Sequence, residues 1–596
     1  MKKTIATCAA LAVLGGCGGG AAFQNLFPDN KPEHIDLVLE SVGAPEKAGG
    51  PVNSTGKPVV AAVLDEGRSL VLYDLEAGKA LWKAEMAVDS APAIGPDIIM
   101  VRSGHEIVAL GTSDGKKRWS KKLSEENLYG FAFGPGTVFV TQGNTEGGPP
   151  ATGRRGTIWA LDAKSGGKRW EIAADKMLGG PAARGGLVFV PWDRQTISIL
   201  DGATGAERCR VLRRDGMVDF VDAEPEGVFY GSKSEILRLT PRSAGGTKDG
   251  AAHLDFDPSA MPGQPTLNAD TFESAKSVIG AKARIRLMWS PAVETAEDKL
   301  AIDSDLIYFL YYKYVIALGA SDGKVRWVYS SPAPIAWATA GRGGVFFLEE
   351  DGQAGFLDAK TGLTARLGSL GGKPESGAID TGTFVPPTEG EPRKLIWGLR
   401  DLVFDVDTQV VPLRKYALEL MNQLPEEDVT MDLLEVLRSS SVPKAMRDQA
   451  ALLLRQREGG VQFLMDALKY HADFLEGMAG PPVGAIATSL ANAGEKKALP
   501  LLLDHLNDPE TTVGDLVELT QAILVLGDES TVPYLSQFLV MYHADSSLAT
   551  NLDVLVNVAE GLVKFGGDDG KAVIEEVIAD PFTGSVLKEK LAEVVK

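Results

Sequence analysis

The sequence predicts an all-β propeller, seven-bladed with eight blades possible, followed by an all-α solenoid of helical repeats. Three observations predict it. One hairpin phrase recurs six times between Asp74 and Arg366. Apolar, strand-like runs precede its copies, as in Val71 to Leu75, Ile197 to Leu200 and Val315 to Leu318. After Asp407 tryptophan disappears and apolar residues recur at helical spacing.

The clearest copy of the phrase is Ala160-Leu161-Asp162-Ala163-Lys164-Ser165-Gly166-Gly167-Lys168-Arg169-Trp170. Its glycine recurs as Gly78, Gly115, Gly205, Gly323 and Gly362. Four residues earlier stand Asp74, Gly111, Asp162, Asp201, Gly319 and Asp358. Four residues later stand Trp82, Trp119, Trp170, Cys209, Trp327 and Arg366. The pattern reads as a strand, a turn closed by Asp and Gly, and a return strand opened by Trp. Copies about 40 residues apart, or a multiple of that, have the spacing of propeller blades. The aspartates read as turn caps rather than metal ligands, because capping explains their fixed offset.

The propeller is expected over residues 59–407, with the phrase as the last two strands of each four-stranded blade. Gly136 to Val140, Gly186 to Val190, Gly227 to Tyr230 and Gly344 to Leu348 read as earlier strands. Ala378 to Val385, together with Leu395 to Leu399, is expected to supply the missing outer material of blade 1 and close the ring. Closure removes a free sheet edge. The gap between Gly205 and Gly323 leaves room for an eighth blade. Two insertions break the rhythm, one at 143–156 carrying Arg154 and Arg155, the other at about 243–283. Such loops on a rigid ring are candidate interaction sites. Tyr308, Tyr311 and Tyr312 lie on a strand with aromatics on both faces. That strand reads as doubly buried, with an aromatic contact patch as the alternative.

Residues 1–16 read as a signal peptide: Lys2 and Lys3, an apolar run from Ile5 to Leu14, then Leu14-Gly15-Gly16-Cys17. This resembles the lipobox of bacterial lipoproteins, which implies cleavage before Cys17 and its lipidation; the alternative is an ordinary secretory signal. Residues 17–58 read as a tether with one short helix starting near Pro32. With Cys8 in the signal and Cys17 lipidated, Cys209 has no disulfide partner and reads as a small buried hydrophobe.

The hairpin phrase resembles the quinoprotein-type repeat of the PQQ-like propellers, with Gly166 and Trp170, Gly205 and Cys209, and Gly323 and Trp327 at its positions. One branch of those proteins, the quinoprotein dehydrogenases, binds pyrroloquinoline quinone and calcium. The other is cofactor-free and includes the lipoprotein subunit of the outer-membrane β-barrel assembly machine. Many of the dehydrogenases use adjacent cysteines, and this chain has none. The resemblance therefore implies the cofactor-free branch.

Residues 408–596 resemble HEAT repeats. Helix starts such as Ala498-Leu499-Pro500-Leu501 and Val532-Pro533-Tyr534-Leu535 follow acidic turns at an interval of about 33 to 40 residues. Stacked helix pairs usually bind protein. Tyr470-His471-Ala472-Asp473 recurs as Tyr542-His543-Ala544-Asp545, with Asp504-His505 between them. His471, His505 and His543 thus form a row that suits either metal binding and pH sensing or a plain helix C-terminal role. The plain role is favoured, because adjacent repeats stand about 10 Å apart.

Six histidines leave little acid–base equipment near neutral pH, and no Ser-elbow, zinc-protease, phosphate-loop or zinc-knuckle spacing occurs. The net charge of −20, of which −14 lies between Arg414 and Lys596, excludes a nucleic-acid binder. The expectation is a non-enzymatic, cofactor-free, lipid-anchored envelope protein that binds other proteins, facing the periplasm from the outer membrane. A diverged quinoprotein dehydrogenase and a small-ligand sensor using the propeller channel are the alternatives.

Overall fold

The computed structural model describes residue 38 and residues 50–596, apart from 145–155, 175, 213–216, 225–226, 233–234, 240–250, 255–285, 291–305, 320–324, 342, 427, 440, 458 and 472–479. The signal, Cys17, most of the tether and Arg154 and Arg155 lie outside the described residues.

Among the described residues stand seven four-stranded antiparallel sheets. Blade 1 joins Pro374–Asp380 to Val59–Leu64, Ser69–Asp74 and Lys79–Glu85. Blades 2 to 7 then follow in chain order, from Ala93, Asn127, Ala182, Phe220, Arg286 and Ile335. The middle strands are buried on both faces, as in Val59–Leu64 and Ser69–Asp74, whereas the outermost strand Lys79–Glu85 is largely solvated. Sheets stacked on both sides require such uninterrupted apolar runs. One apolar cluster spans each neighbouring pair of blades, including Phe229 with Ile316 between blades 5 and 6 and Val60 with Phe346 between blades 1 and 7.

The repeated phrase does two jobs. Within its own turn, the Asp162 Oδ1 accepts from the N–H groups of Lys164 and Ser165 at 3.2 and 3.0 Å. Asp201 and Asp358 do the same for Ala203 and Thr204, and for Lys360 and Thr361. Between blades, each tryptophan lies over the next blade's turn glycine and donates to a carbonyl there. Trp82 Nε1 reaches Thr112 O, Trp119 reaches Ala163 O, Trp170 reaches Gly202 O and Trp327 reaches Ala359 O, all at 2.8–3.0 Å. The glycines must be glycine because a Cβ on Gly115, Gly166, Gly205 or Gly362 would sit 2.7 to 3.0 Å from the indole. Where the phrase lacks Trp, other chemistry fills in. Cys209 is buried, and Arg366 pairs with buried Glu349 at 2.8 Å.

The ring closes through Pro374–Asp380, which pairs with Val59–Leu64. It occupies the inner edge of blade 1, not the outer edge expected, because the outer edge already holds Lys79–Glu85. The Asp380 carboxylate latches the join, accepting from Val52 N, Asn53 N and Asn53 Nδ2 at 2.6–3.0 Å. Leu395–Leu399 forms no strand. It opens helix α1 (Leu395–Val403), whose apolar face is amphipathic and buried. The helical core therefore begins before residue 408. The long Gly205-to-Gly323 gap holds blade 5 and the first strands of blade 6.

The helical region continues with α2 (Val411–Asn422), α3 (Asp428–Arg438), α4 (Lys444–Arg455), α5 (Val461–Ala467), α6 (Val483–Asn492), α7 (Leu499–Leu506), α8 (Val513–Leu526), α9 (Val532–Tyr542), α10 (Asp553–Ala579) and α11 (Ser585–Val595). Proline occupies the first turn of α2, α7 and α9, where its missing N–H has no helical partner to lose. Asp528 caps the turn before α9 by accepting from Ser530 N at 2.9 Å. Helix α10 is kinked at Gly567, just before Asp568-Asp569-Gly570. One continuous apolar core runs from blade 6 through α1 to α11.

Candidate functional site

The aromatic strand of blade 6 is where propeller and helices join. Tyr308, Tyr311 and Tyr314 are fully buried, and Tyr312 is half-buried. Tyr308 packs against Trp327 inside the propeller, with ring centroids 5.8 Å apart. Tyr311 Oη donates to Gln409 O at 2.7 Å, and Tyr314 Oη donates to the Asp405 carboxylate. Lys313 Nζ pairs with the same carboxylate at 2.7 Å. Burial works against the charge on Asp405, but the bonds from Lys313 and Tyr314 outweigh it and hold its pKa below the usual carboxylate range. Burial pushes the Tyr312 hydroxyl up to about 12, with a further push from Asp407. Helix α1 lies against Val325–Ser330, and its Gly398 comes so close that a Cβ would stand 2.3 Å from Val328 O. Tyr308 and Tyr311 are thus covered by the blade interior and the helical region, as the doubly buried reading of this strand expects, and the alternative of a contact patch for outside partners is corrected at these two residues. Asp405 and Lys313 carried no periodic signal, so sequence reasoning missed them.

The histidine row divides. His471 follows α5, His505 lies in the last turn of α7, and their rings stack with centroids 4.3 Å apart. Asp508, just beyond α7, holds His471 Nδ1 at 2.5 Å and stands 3.9 Å from His505 Nδ1. These three donor atoms all lie within 4.8 Å of one another. The distance between repeats does not separate the imidazoles, because both side chains reach into the seam. Burial pulls the His505 pKa down, so this imidazole is neutral at pH 7 and gains nothing from the helix dipole. His543 stands apart, at the C-terminus of α9, with Asp580 at 3.4 Å. Asp508 was the missed member of the site; its signal was a carboxylate three residues after His505.

At the ring's rim a cleft of about 480 Å³ opens between Val63, Val88, Glu66, Asp89 and Glu375. Its three carboxylates oppose an anionic ligand. No helix among the described residues is long and apolar enough to cross a membrane. Exposed large apolar side chains gather on the helical region: Val525, Tyr534, Val540, Met541, Phe582 and Val586 are examples.

Residues 66–147 and 128–224 match the family model described as outer membrane protein assembly factor BamB. Among curated proteins, none matches the chain. Solved structures similar to it include BamB from Moraxella catarrhalis, at 16% identity over 53% of this chain and 84% of that one, with a TM-score of 0.31. The dihydro-heme d1 dehydrogenase NirN is similar at 10% identity over 57% of this chain and 71% of that one, with a TM-score of 0.34. Sqt1 from Saccharomyces cerevisiae is similar at 12% identity over 62% and 94%, with a TM-score of 0.35. The repeat residues, the seven sheets and the matched stretch together make this a PQQ-like propeller, similar over residues 66–224 to that assembly-factor family and followed by a helical region.

Proposed function

We propose that the protein is a non-enzymatic scaffold of the cell envelope, anchored by a lipid on Cys17, whose helical region receives protein partners in outer-membrane protein assembly or envelope organisation. The match of residues 66–224 to the assembly-factor family carries this reading. The distribution of surface chemistry supports it. Among the described residues the propeller buries most of its large apolar side chains between blades, whereas most of the exposed ones, such as Val540, Met541 and Phe582, lie on the helical region. That region also carries most of the net negative charge. Apolar anchors on an acidic surface suit a basic, amphipathic protein partner.

The test is crosslinking in living cells from photoreactive residues placed at Val540 and Met541, followed by identification of what attaches. Recovery of a defined envelope protein, lost when Met541 and Phe582 are both made Asp, is the expected result. Crosslinks spread over abundant proteins without preference would overturn the reading. Cys17→Ser should shift the chain from the membrane to the soluble fraction. Pyrroloquinoline quinone with calcium should leave the melting temperature unchanged; a tight complex would instead favour a quinoprotein dehydrogenase.

A further inference from the structure

We propose that His471, His505 and Asp508 form a zinc site that clamps the seam between two successive helical repeats. The three residues come from two places in the chain. His471 lies just after α5, and His505 and Asp508 lie at the end of α7. A site built this way ties one repeat to the next.

The geometry around His505 is that of a ligand already aimed. Its Nε2 lies 2.9 Å from Leu468 O. A carbonyl only accepts, so Nε2 carries the proton and Nδ1 keeps its lone pair. That Nδ1 is buried and has no hydrogen-bond partner, in a side chain only 1% exposed. Stranding a polar atom there is costly unless something occupies it. Metal-binding histidines are typically oriented by this kind of second bond to a carbonyl.

Asp508 is likewise divided between two tasks. Oδ1 accepts from Glu510 N at 2.9 Å and fixes the carboxylate. Oδ2 faces both imidazoles. Burial works against its charge, but the bonds from His471 and Glu510 outweigh it, so the ligand is anionic at neutral pH. His471 is about half exposed and gives an ion its way in.

Tetrahedral zinc with bonds of about 2.0–2.1 Å places its donors roughly 3.3 Å apart. His505 Nδ1 and Asp508 Oδ2 are 3.9 Å apart and need to close by about half an ångström. His471 Nδ1 and Asp508 Oδ2, now directly bonded at 2.5 Å, need to open by a similar amount. The exposed His471 ring is free to make that movement. Two imidazoles and one carboxylate suit zinc, whereas calcium and magnesium want oxygen ligands. The fourth position is left for water.

The test uses the full chain in detergent, stripped with a chelator and titrated with Zn²⁺ against a chromogenic competitor. One equivalent should bind, and it should raise the melting temperature of the helical region. Co²⁺ should give the visible bands of a four-coordinate site. His471→Ala, at an exposed position, should keep the circular dichroism and weaken zinc binding at least about tenfold. Asp508→Asn should do the same, and His543→Ala should bind as the parent does. No zinc equivalent in the parent chain, or equal binding in the parent and His471→Ala, would overturn the proposal. In that case the cluster is a histidine–carboxylate hydrogen bond and nothing more.

Discussion

Gly166→Ala tests the interblade staple with a single methyl group. Gly166 has φ +69°, and a Cβ there would lie 2.7 Å from the Trp119 indole. Gly136, also in blade 3, has φ +60°, but its Cβ would meet nothing nearer than Arg169 Nη2 at 3.5 Å. The left-handed backbone costs either alanine about 1–2 kcal/mol. Only at Gly166 is overpacking added, about 1–3 kcal/mol. The indole cannot swing aside freely, because Trp119 is buried and its Nε1–H is tied to Ala163 O at 2.9 Å. The totals are about 2–5 kcal/mol for Gly166→Ala and about 1–2 kcal/mol for Gly136→Ala. For a domain of this size each kcal/mol moves the melting temperature by about 2 °C. Calorimetry of the propeller transition should therefore drop by about 4–10 °C for Gly166→Ala and about 2–4 °C for Gly136→Ala. In a Trp119→Leu background the extra cost of Gly166→Ala should vanish, which is the signature of a direct pair. Equal shifts for the two glycines would refute the staple.

Three further outcomes follow from the same geometry. Asp380→Ala removes the acceptor of three N–H groups at the ring's join, and should destabilise the propeller by about 2–3 kcal/mol in denaturant melts, with Asp380→Asn milder. Bonds from Arg169 and Ser165 lower the Asp162 pKa from 3.8 to about 2, so its contribution to stability is complete above about pH 4 and is lost as pH falls through about 2. Asp162→Asn should flatten that acid limb in pH-dependent melts. Gly398→Ala should force α1 off Val328 O at a cost of about 1–3 kcal/mol, read as faster proteolysis between residues 381 and 394.

The propeller was legible because its physics repeats. A turn that needs Gly, a cap that needs Asp and a staple that needs Trp recur at fixed offsets, so Asp162, Gly166 and Trp170 announce one another. The inner strand Pro374–Asp380 was harder, since it pairs across more than 300 residues and carries no phrase of its own. Leu395–Leu399 misled because five residues of apolar chain suit a strand or a helix equally; only the buried stripe continuing to Val403 decides it. Among the candidate sites, the tyrosines were visible as a dense aromatic run, but what covers them was not, because Asp405 and Gln409 lie on another module. The histidine row was visible, but its repeated motif links His471 to His543, whereas the pair that meets is His471 and His505. Its closeness depends on side chains reaching across the seam, which repeat spacing does not encode.

The junction at blade 6 bears on how the two modules work together. A buried ion pair such as Lys313–Asp405 gains little net stability, since desolvation offsets most of the attraction. The apolar contact of α1 with Val325 and Val328 supplies the adhesion instead. What the pair adds is register. A helix sliding on an apolar strand would lose little packing, but it would leave Asp405, only 7% exposed, without its cation and its tyrosine. Leaving a buried charge unpaired costs about 3–5 kcal/mol, enough to reject neighbouring registers by a hundredfold or more. The helical region is therefore held at one orientation on the ring, and its exposed apolar side chains stand at a fixed place relative to the blades. The proposed scaffold role would use such a fixed angle, and a few polar atoms in an apolar interface set it.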